Sequence, residues 1–499
     1  MPGLLPGLLI AVFVAASVSA IVHRGPWYDE FYSFYLVRPD APLSVLVPAW
    51  LRDNHPPLFY AVAWLWTRFL GMFGLAGTVE ASRTVNLAVL GVAVPLLWHI
   101  ARTDAWFRRV VWYDCAALAA TAPAIDRIDQ LRSYFLSFAL AAVILPLLAR
   151  RLRDDHAGRN DNALLALLLL LGFSLHLVTT VILAGVVFAC MVALVVGRRW
   201  RDAMVLAIIA ALALLPFAVT MALQLATIEA NTRVFWIPPG LNAARWAIET
   251  ETLGALTANP VLGLLALGGT ALILAEAARG DRRSRQALTL IATLGGGLAL
   301  ALGLLVAVHL HRPMLITRYL VAVDPVLALI VAVAAERLRQ AMVLRLRQPM
   351  ALRLCAAFDV AVLAGSVLAI GTNLAATIAQ PSWDGTGRAL AALVRTCPDT
   401  AIHPDLRWNA MPLTLPPRDN RDVMPFSYDF VAQRFGFVIA PGHRVSARCP
   451  TVFWTEHASE QHPTAQAVIT GLRRSGYAIA SGRMIRIGNG WILITRPYT

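Results

Sequence analysis

Six consecutive residues, Trp27-Tyr28-Asp29-Glu30-Phe31-Tyr32, follow directly on the first apolar run of the chain, residues 4–22. The aromatic rings suit the headgroup level of a bilayer, where amphipathic rings settle. The two carboxylates do not, because charge beside hydrocarbon is expensive and usually functional. A carboxylate in that place can take the proton of an attacking hydroxyl. The alternative is that Asp29 and Glu30 only cap a short surface helix. Further polar residues stand at the ends of other apolar runs: Asn54-His55-Pro56-Pro57-Leu58-Phe59-Tyr60, Asp129-Gln130-Leu131-Arg132-Ser133-Tyr134, His176, and Ile316-Thr317-Arg318-Tyr319. Taken singly, each has a plain structural reading. A lone His is more often structural than a ligand, Pro56-Pro57 starts a helix as well as it walls a site, and an Arg at a helix end can snorkel to headgroups. Taken together, they set carboxylate, guanidinium and imidazole groups at the ends of different helices on one membrane face. Such a set can hold a phosphate, bidentately through Arg where geometry allows, while a carboxylate activates a hydroxyl.

The elements that must position these residues are membrane spans. Of 499 residues, 58% are hydrophobic and only 14% charged, the mean hydropathy is +0.64, and soluble domains carry roughly 25% charged residues. All 43 basic residues are Arg, with no Lys, and the net charge is +14. Any phosphate must therefore be held by Arg, His or backbone amides. A basic balance can also signal nucleic acid, but most Arg clusters here lie between apolar runs and serve as topology signals. Runs near the ~20 residues a span needs occur at 4–22, 84–100, 110–124, 132–149, 163–178, 180–197, 203–223, 260–278, 288–308, 318–335 and 354–374, which predicts eleven helices. The first lacks a basic n-region and reads as a retained helix rather than a cleaved signal. With eleven spans the Arg-rich loops at 102–109, 150–159, 198–201, 279–285 and 337–353 all fall on one side, cytoplasmic by the positive-inside rule. The N-terminus is then cytoplasmic and the C-terminus outside; His23 and Arg24, just after the first helix, run against this locally, but the outer segment they open is about 60 residues long and long loops weigh less.

Outside the spans, 42–50 and 58–69 are apolar, aromatic and too short to cross, and read as helices lying in the interface. A second outer segment, 224–259, holds Arg233 and Trp236, which with Trp27, Tyr28 and Asn54 are candidate lining residues on the acceptor side. The chain divides into a membrane region, 1–374, and a polar α/β tail, 375–499, with a helix expected at 389–394 and strands at 451–455, 477–480 and 491–495. Cys115, Cys190 and Cys355 lie in or beside spans, where free Cys behaves as a small apolar residue. Cys397 and Cys449 are the two cysteines of the tail, and an oxidising compartment favours a disulfide between them over two separate thiols.

An Asp-Glu pair just after the first helix resembles the polyprenyl-phosphate-sugar glycosyltransferases of the GT-C superfamily, among them the protein mannosyltransferases and the lipid A aminoarabinose transferase. The His55-Pro56-Pro57-Leu58-Phe59-Tyr60 stretch, Arg132 with Tyr134, and Arg318-Tyr319 most resemble the galacturonosyltransferase-like bacterial members. The resemblance covers residues 1–374; the tail matches no motif. It implies a mainly α GT-C fold in a bacterial inner membrane, a polyprenyl-phosphate sugar donor, a lipid or cell-envelope glycan acceptor, and an active site facing the periplasm. Asp29 then matches the catalytic carboxylate, acting as general base in an inverting single displacement, and Glu30 the second acidic residue. Arg132, Arg318, His55, His176, Tyr134 and Tyr319 fall to the donor phosphate. Family members often add Lys there, and this chain has none. Asp29, Glu30 and His55 could ligate a divalent metal, but three converging carboxylates are not apparent, so transfer without metal or other cofactor is expected. The alternatives are a protein O-mannosyltransferase, a solute or lipid transporter, and a structural scaffold. Against a transporter, no two-half repeat occurs and the polar residues sit at helix ends rather than at the midplane.

Overall fold

The computed structural model describes residues 4–102, 104–153, 158–231, 237–404, 417–456, 464–488 and 490–495. The chain divides into two compact units, Met1–Ile21 with Ala41–Thr377, and Val22–Asp40 with Ile378–Thr499. The short segment that carries Asp29 and Glu30 is thus grouped with the tail.

The first unit is helical because its long apolar runs leave the backbone no partner in lipid but itself. Among the described residues eight helices are long and apolar enough to cross a membrane: Leu4–His23, Val79–Ala101, Ser133–Arg153, Leu177–Val196, Trp200–Ala230, Pro260–Ala278, Arg282–His311 and Gln348–Ile378. The remaining expected spans, 110–124, 163–178 and 318–335, fall on the helices Ala105–Ala120, Arg159–Phe173 and Val323–Arg345. The first two are short, at 16 and 15 residues. The third carries Asp324, Glu336, Arg337 and Arg339, so its charge separates it from the eight. The interfacial segments form the helices Leu43–Trp50 and Leu58–Gly71, and the second outer segment holds the helix Leu241–Thr257. The span expected at 203–223 continues as one helix, Trp200–Asn231, which takes Gln224 out of the outer loop.

Ion pairs and hydrogen bonds tie the five basic loops together at one end of this bundle. Arg153 reaches Asp104 at 2.8 Å and Arg109 reaches Glu336 at 2.7 Å. Arg151 donates to the Asp202 carbonyl and Arg199 to the Leu152 carbonyl, both at 3.0 Å. Arg337 pairs with Asp281 at 3.0 Å and with Glu276. The helix Ser133–Arg153 has Arg153 at this end and Arg132 just before its other end; its 21 residues rise about 32 Å, close to a hydrocarbon core of ~30 Å. Small residues let helices approach closely, as in other membrane bundles. A Cβ on Gly269 would stand 1.9 Å from the Ala334 carbonyl oxygen, and one on Gly297 2.6 Å from the Val186 Cα.

The second unit is an α/β domain. Strands β1 (Ala401–Pro404), β2 (Thr451–Thr455), β3 (Gly482–Ile487) and β4 (Gly490–Thr495) form one sheet in the order β1-β2-β4-β3, with β1 parallel to β2 and the other pairs antiparallel. The helices Trp383–Thr396, Pro417–Phe435 and Ala465–Arg474 accompany it. Phe453, Leu493, Val468 and Leu472 are core residues between the sheet and the last helix. The strand expected at 477–480 does not form. The Tyr477 N–H closes the preceding helix on the Leu472 carbonyl, and Arg473 occupies the Ile479 and Ala480 carbonyls at 2.7 and 2.5 Å, so β3 begins only at Gly482. Cys397 and Cys449 form a disulfide with Cα atoms 5.7 Å apart. The outward charge of Arg24 is accounted for, since Arg24 is buried and donates to Gln380 Oε1 at 2.6 Å.

Candidate functional site

At the end of the first unit opposite the basic loops, four segments converge. They are the stretch joining Leu43–Trp50 to Leu58–Gly71, the start of Ser133–Arg153, the turn before Leu177–Val196, and a 3-10 turn at Thr317–Tyr319. The rings of His55 and His176 stack with centroids 5.2 Å apart. Tyr319 lies 5.0 Å from His176 and 6.2 Å from His55, and Tyr134 5.7 Å from His176 and 6.0 Å from Tyr319. The Arg132 and Arg318 guanidinium carbons lie 5.9 and 5.8 Å from the Tyr134 and Tyr319 ring centres. The structure thus brings together His55, Arg132, Tyr134, His176, Arg318 and Tyr319, with Asn54 beside His55.

Local chemistry holds each piece. Gln224, fully buried, donates through Nε2 to the carbonyls of Trp50, Asp53 and His55 at 3.2, 3.0 and 3.0 Å. Tyr60 donates to Asp53 Oδ2 at 2.5 Å, which holds the buried Asp53 side chain two residues before His55. The Thr180 hydroxyl binds the carbonyls of Phe173 and His176 at 2.6 and 3.0 Å and fixes the His176 turn. His309 Nδ1 accepts the N–H groups of Met314 and Leu315 at 3.0 Å, which sets the chain on course for the 3-10 turn bearing Arg318.

The electrostatics favour an anion. Burial drives the His55 imidazole well below its usual pKa, and the charges of Arg132 and Arg318 push the same way. Burial, His55 and Arg132 do the same to His176. Both rings are therefore neutral near pH 7 and can each donate one N–H. Burial raises the Asp53 carboxyl, opposed by Arg132, the Tyr60 hydroxyl and the N–H groups of Asn54 and His55. The Tyr134 hydroxyl and His176 Nδ1 are buried without a hydrogen-bond partner among the described residues. Buried polar atoms are normally satisfied, so these two point to a missing partner. Two guanidiniums, two imidazoles and two phenols fit one group with several acceptor oxygens. Among the described residues no three His, Cys, Asp or Glu side chains are grouped to hold a metal ion.

Asp29 and Glu30 lie in the first turn of the helix Tyr28–Leu36 in the second unit, where the helix dipole favours carboxylates. Trp27 is its N-cap residue, with no side-chain cap hydrogen bond. Phe31 packs on Trp383 at 4.9 Å and Phe430 at 5.6 Å, and Phe34 on Phe430 at 5.5 Å, which anchors the helix to the tail. Arg233 and Trp236 lie outside the described residues.

No family model matches the chain, and no curated protein sequence matches it. Among solved structures, ArnT from Cupriavidus metallidurans in the apo state aligns over 98% of this chain and 97% of its own, with a TM-score of 0.53 at 12% identity. ArnT bound to undecaprenyl phosphate aligns over the same shares, with a TM-score of 0.52 at 13% identity. The chain has the GT-C fold.

Within this GT-C frame, the sequence assigned no role to Asp53, Gln224 or His309, and Tyr60 stood in a motif without its part as donor to Asp53. The available signal was Gln224, a lone amide near the end of an apolar helix, since such a residue needs a buried partner. Asp53 stood one residue from a motif already singled out.

Proposed function

We propose that this membrane protein is a glycosyltransferase that uses a polyprenyl-phosphate sugar as donor, with Arg132, Arg318, His55, His176, Tyr134 and Tyr319 holding the phosphate. The observation that carries the reading is the convergence of these six side chains, with an unpartnered phenol and imidazole among them, on a fold that ArnT also has and in which ArnT has been seen with undecaprenyl phosphate. Guanidinium charge stabilises the leaving lipid phosphate, which needs neutralisation more than protonation. Asp29 acts as general base on the acceptor hydroxyl in an inverting single displacement, and Glu30 positions it. The acceptor is a lipid or cell-envelope glycan, and the protein belongs in a bacterial inner membrane with the site facing the periplasm. Arg supplies the charge that a metal would otherwise bring, so chelation with EDTA leaves turnover unchanged.

Purified protein incubated with a polyprenyl-phosphate sugar and envelope lipid extract should release free polyprenyl phosphate. Solute or lipid translocation without such release would instead identify a transporter.

A further inference from the structure

A cavity of about 480 Å³ lies within the first unit and shares no residue with the His–Arg cluster. Its volume is within the ~300–1,000 Å³ of ligand pockets. The walls are apolar, with Phe13, Leu97, Phe135 and Phe138 among them, and the charged lining residues are Arg108, Arg109, Arg339 and Asp359. These four stand at the basic-loop end. Along the helix Ala105–Ala120 the lining runs from Ala105 to Ala119, about 21 Å of rise in a hydrocarbon core of ~30 Å. The shape is a channel for a chain, with charge at one mouth.

The charges at that mouth do not cancel. Arg109 is paired with Glu336 at 2.7 Å, and Arg339 with Glu336 and Asp359 at 4.0 and 3.8 Å. Asp359 also accepts from the Tyr113 hydroxyl at 2.8 Å. Arg108 is exposed and has no ion pair among the described residues. Three guanidiniums against two carboxylates leave one positive charge, and it is on Arg108. Lipid tails are as apolar as these walls, so tail burial by itself selects nothing. The uncompensated charge does.

We propose that this cavity binds an anionic phospholipid of the bilayer, with one acyl chain in the channel and its phosphate at Arg108. The charged mouth lies at the end of the bundle away from the donor cluster, while the apolar wall extends to Phe135, next in sequence to Tyr134; the proposal does not depend on the glycosyltransferase reading.

The test is native mass spectrometry of the full-length protein released from phosphatidylcholine vesicles containing a minor fraction of phosphatidylglycerol. The wild type should retain phosphatidylglycerol in preference to phosphatidylcholine. Arg108→Glu, at an exposed side chain, should weaken that retention about tenfold, as expected for a lipid-facing charge that is reversed. Ala139→Phe, which fills the channel, should remove the bound lipid. Equal retention of the two lipids by the wild type, or an unchanged preference in Arg108→Glu, overturns the proposal. Should Ala139→Phe not fold, Arg108→Glu still decides.

Discussion

Under the proposed function, Asp29 and the cluster at His55 and His176 each make their own prediction. Asp29→Asn keeps the size of the side chain and removes its basicity. General-base catalysis contributes about 10²–10⁴-fold, so turnover should fall by that factor while binding of polyprenyl phosphate persists; near wild-type turnover removes Asp29 from the chemistry. Arg318→Ala removes a charge-assisted phosphate partner worth about 2–5 kcal/mol, roughly 30-fold or more in affinity. Binding of polyprenyl phosphate, measured by calorimetry, should weaken accordingly, and unchanged affinity would clear Arg318 of the role. The two imidazoles predict a pH dependence. An unfolded His titrates near 6.5, whereas folded His55 and His176 stay neutral to lower pH. Between those values the unfolded chain binds more protons, so stability is lost as pH falls below about 6.5 and recovers as pH rises. Thermal unfolding should show a lower midpoint at pH 5.5 than at pH 7.5, and the double change His55→Gln with His176→Gln should flatten the difference. A midpoint equally pH-dependent in that variant would assign the effect to other groups.

The elements around these residues were legible in the sequence to different depths. The apolar runs locate the helices because lipid admits little else, and His55, Arg132, His176 and Arg318 were each placed at a helix end by the flanking hydropathy alone. The clamp of Gln224 on three carbonyls was not legible, because a contact 169 residues or more along the chain leaves no local pattern. The 477–480 strand was misread for a related reason. Its alternation is that of a strand, but Arg473 takes the carbonyls that a neighbouring strand would need. The grouping of residues 22–40 with the tail was hidden too, since Phe31 and Phe34 look like membrane-facing aromatics until Phe430 is brought beside them. The disulfide is the element-level feature most open to test. It closes a sequence separation of 52 residues, which in the chain-entropy model is worth about 4 kcal/mol, and it ties the end of the helix Trp383–Thr396 to the start of β2. Replacing Cys397 and Cys449 by Ser should make the tail cleavable at lower protease concentration while the membrane helices stay intact. Equal protease resistance in the variant and the parent would show that the sheet holds the tail by itself.

At the scale of the whole molecule, the ends of the helical unit differ in kind. One end gathers the basic loops, cross-linked by Arg153 with Asp104, Arg109 with Glu336 and Arg337 with Asp281. The other gathers the His–Arg cluster. Because the basic loops are mutually bonded, they lie in one compartment, and short Arg-rich loops are retained in the cytoplasm. The proposed function accordingly sets the opposite end toward the periplasm, where an exported polyprenyl-linked sugar would meet its acceptor. This orientation is testable with single cysteines and a membrane-impermeant maleimide once the half-buried Cys115 is replaced by Ala, since Cys190 and Cys355 are buried and Cys397 and Cys449 are joined. Gly77→Cys lies in an open loop next to the helix Val79–Ala101, and a Cβ there meets nothing within 4 Å. Arg283→Cys lies exposed in the first turn of the helix Arg282–His311, at the basic end. In intact spheroplasts Gly77→Cys should label and Arg283→Cys should not, and after lysis both should label. The reverse pattern would place the phosphate cluster in the cytoplasm, and the protein would then transfer sugar on the side where donors are made rather than the side where the envelope is built.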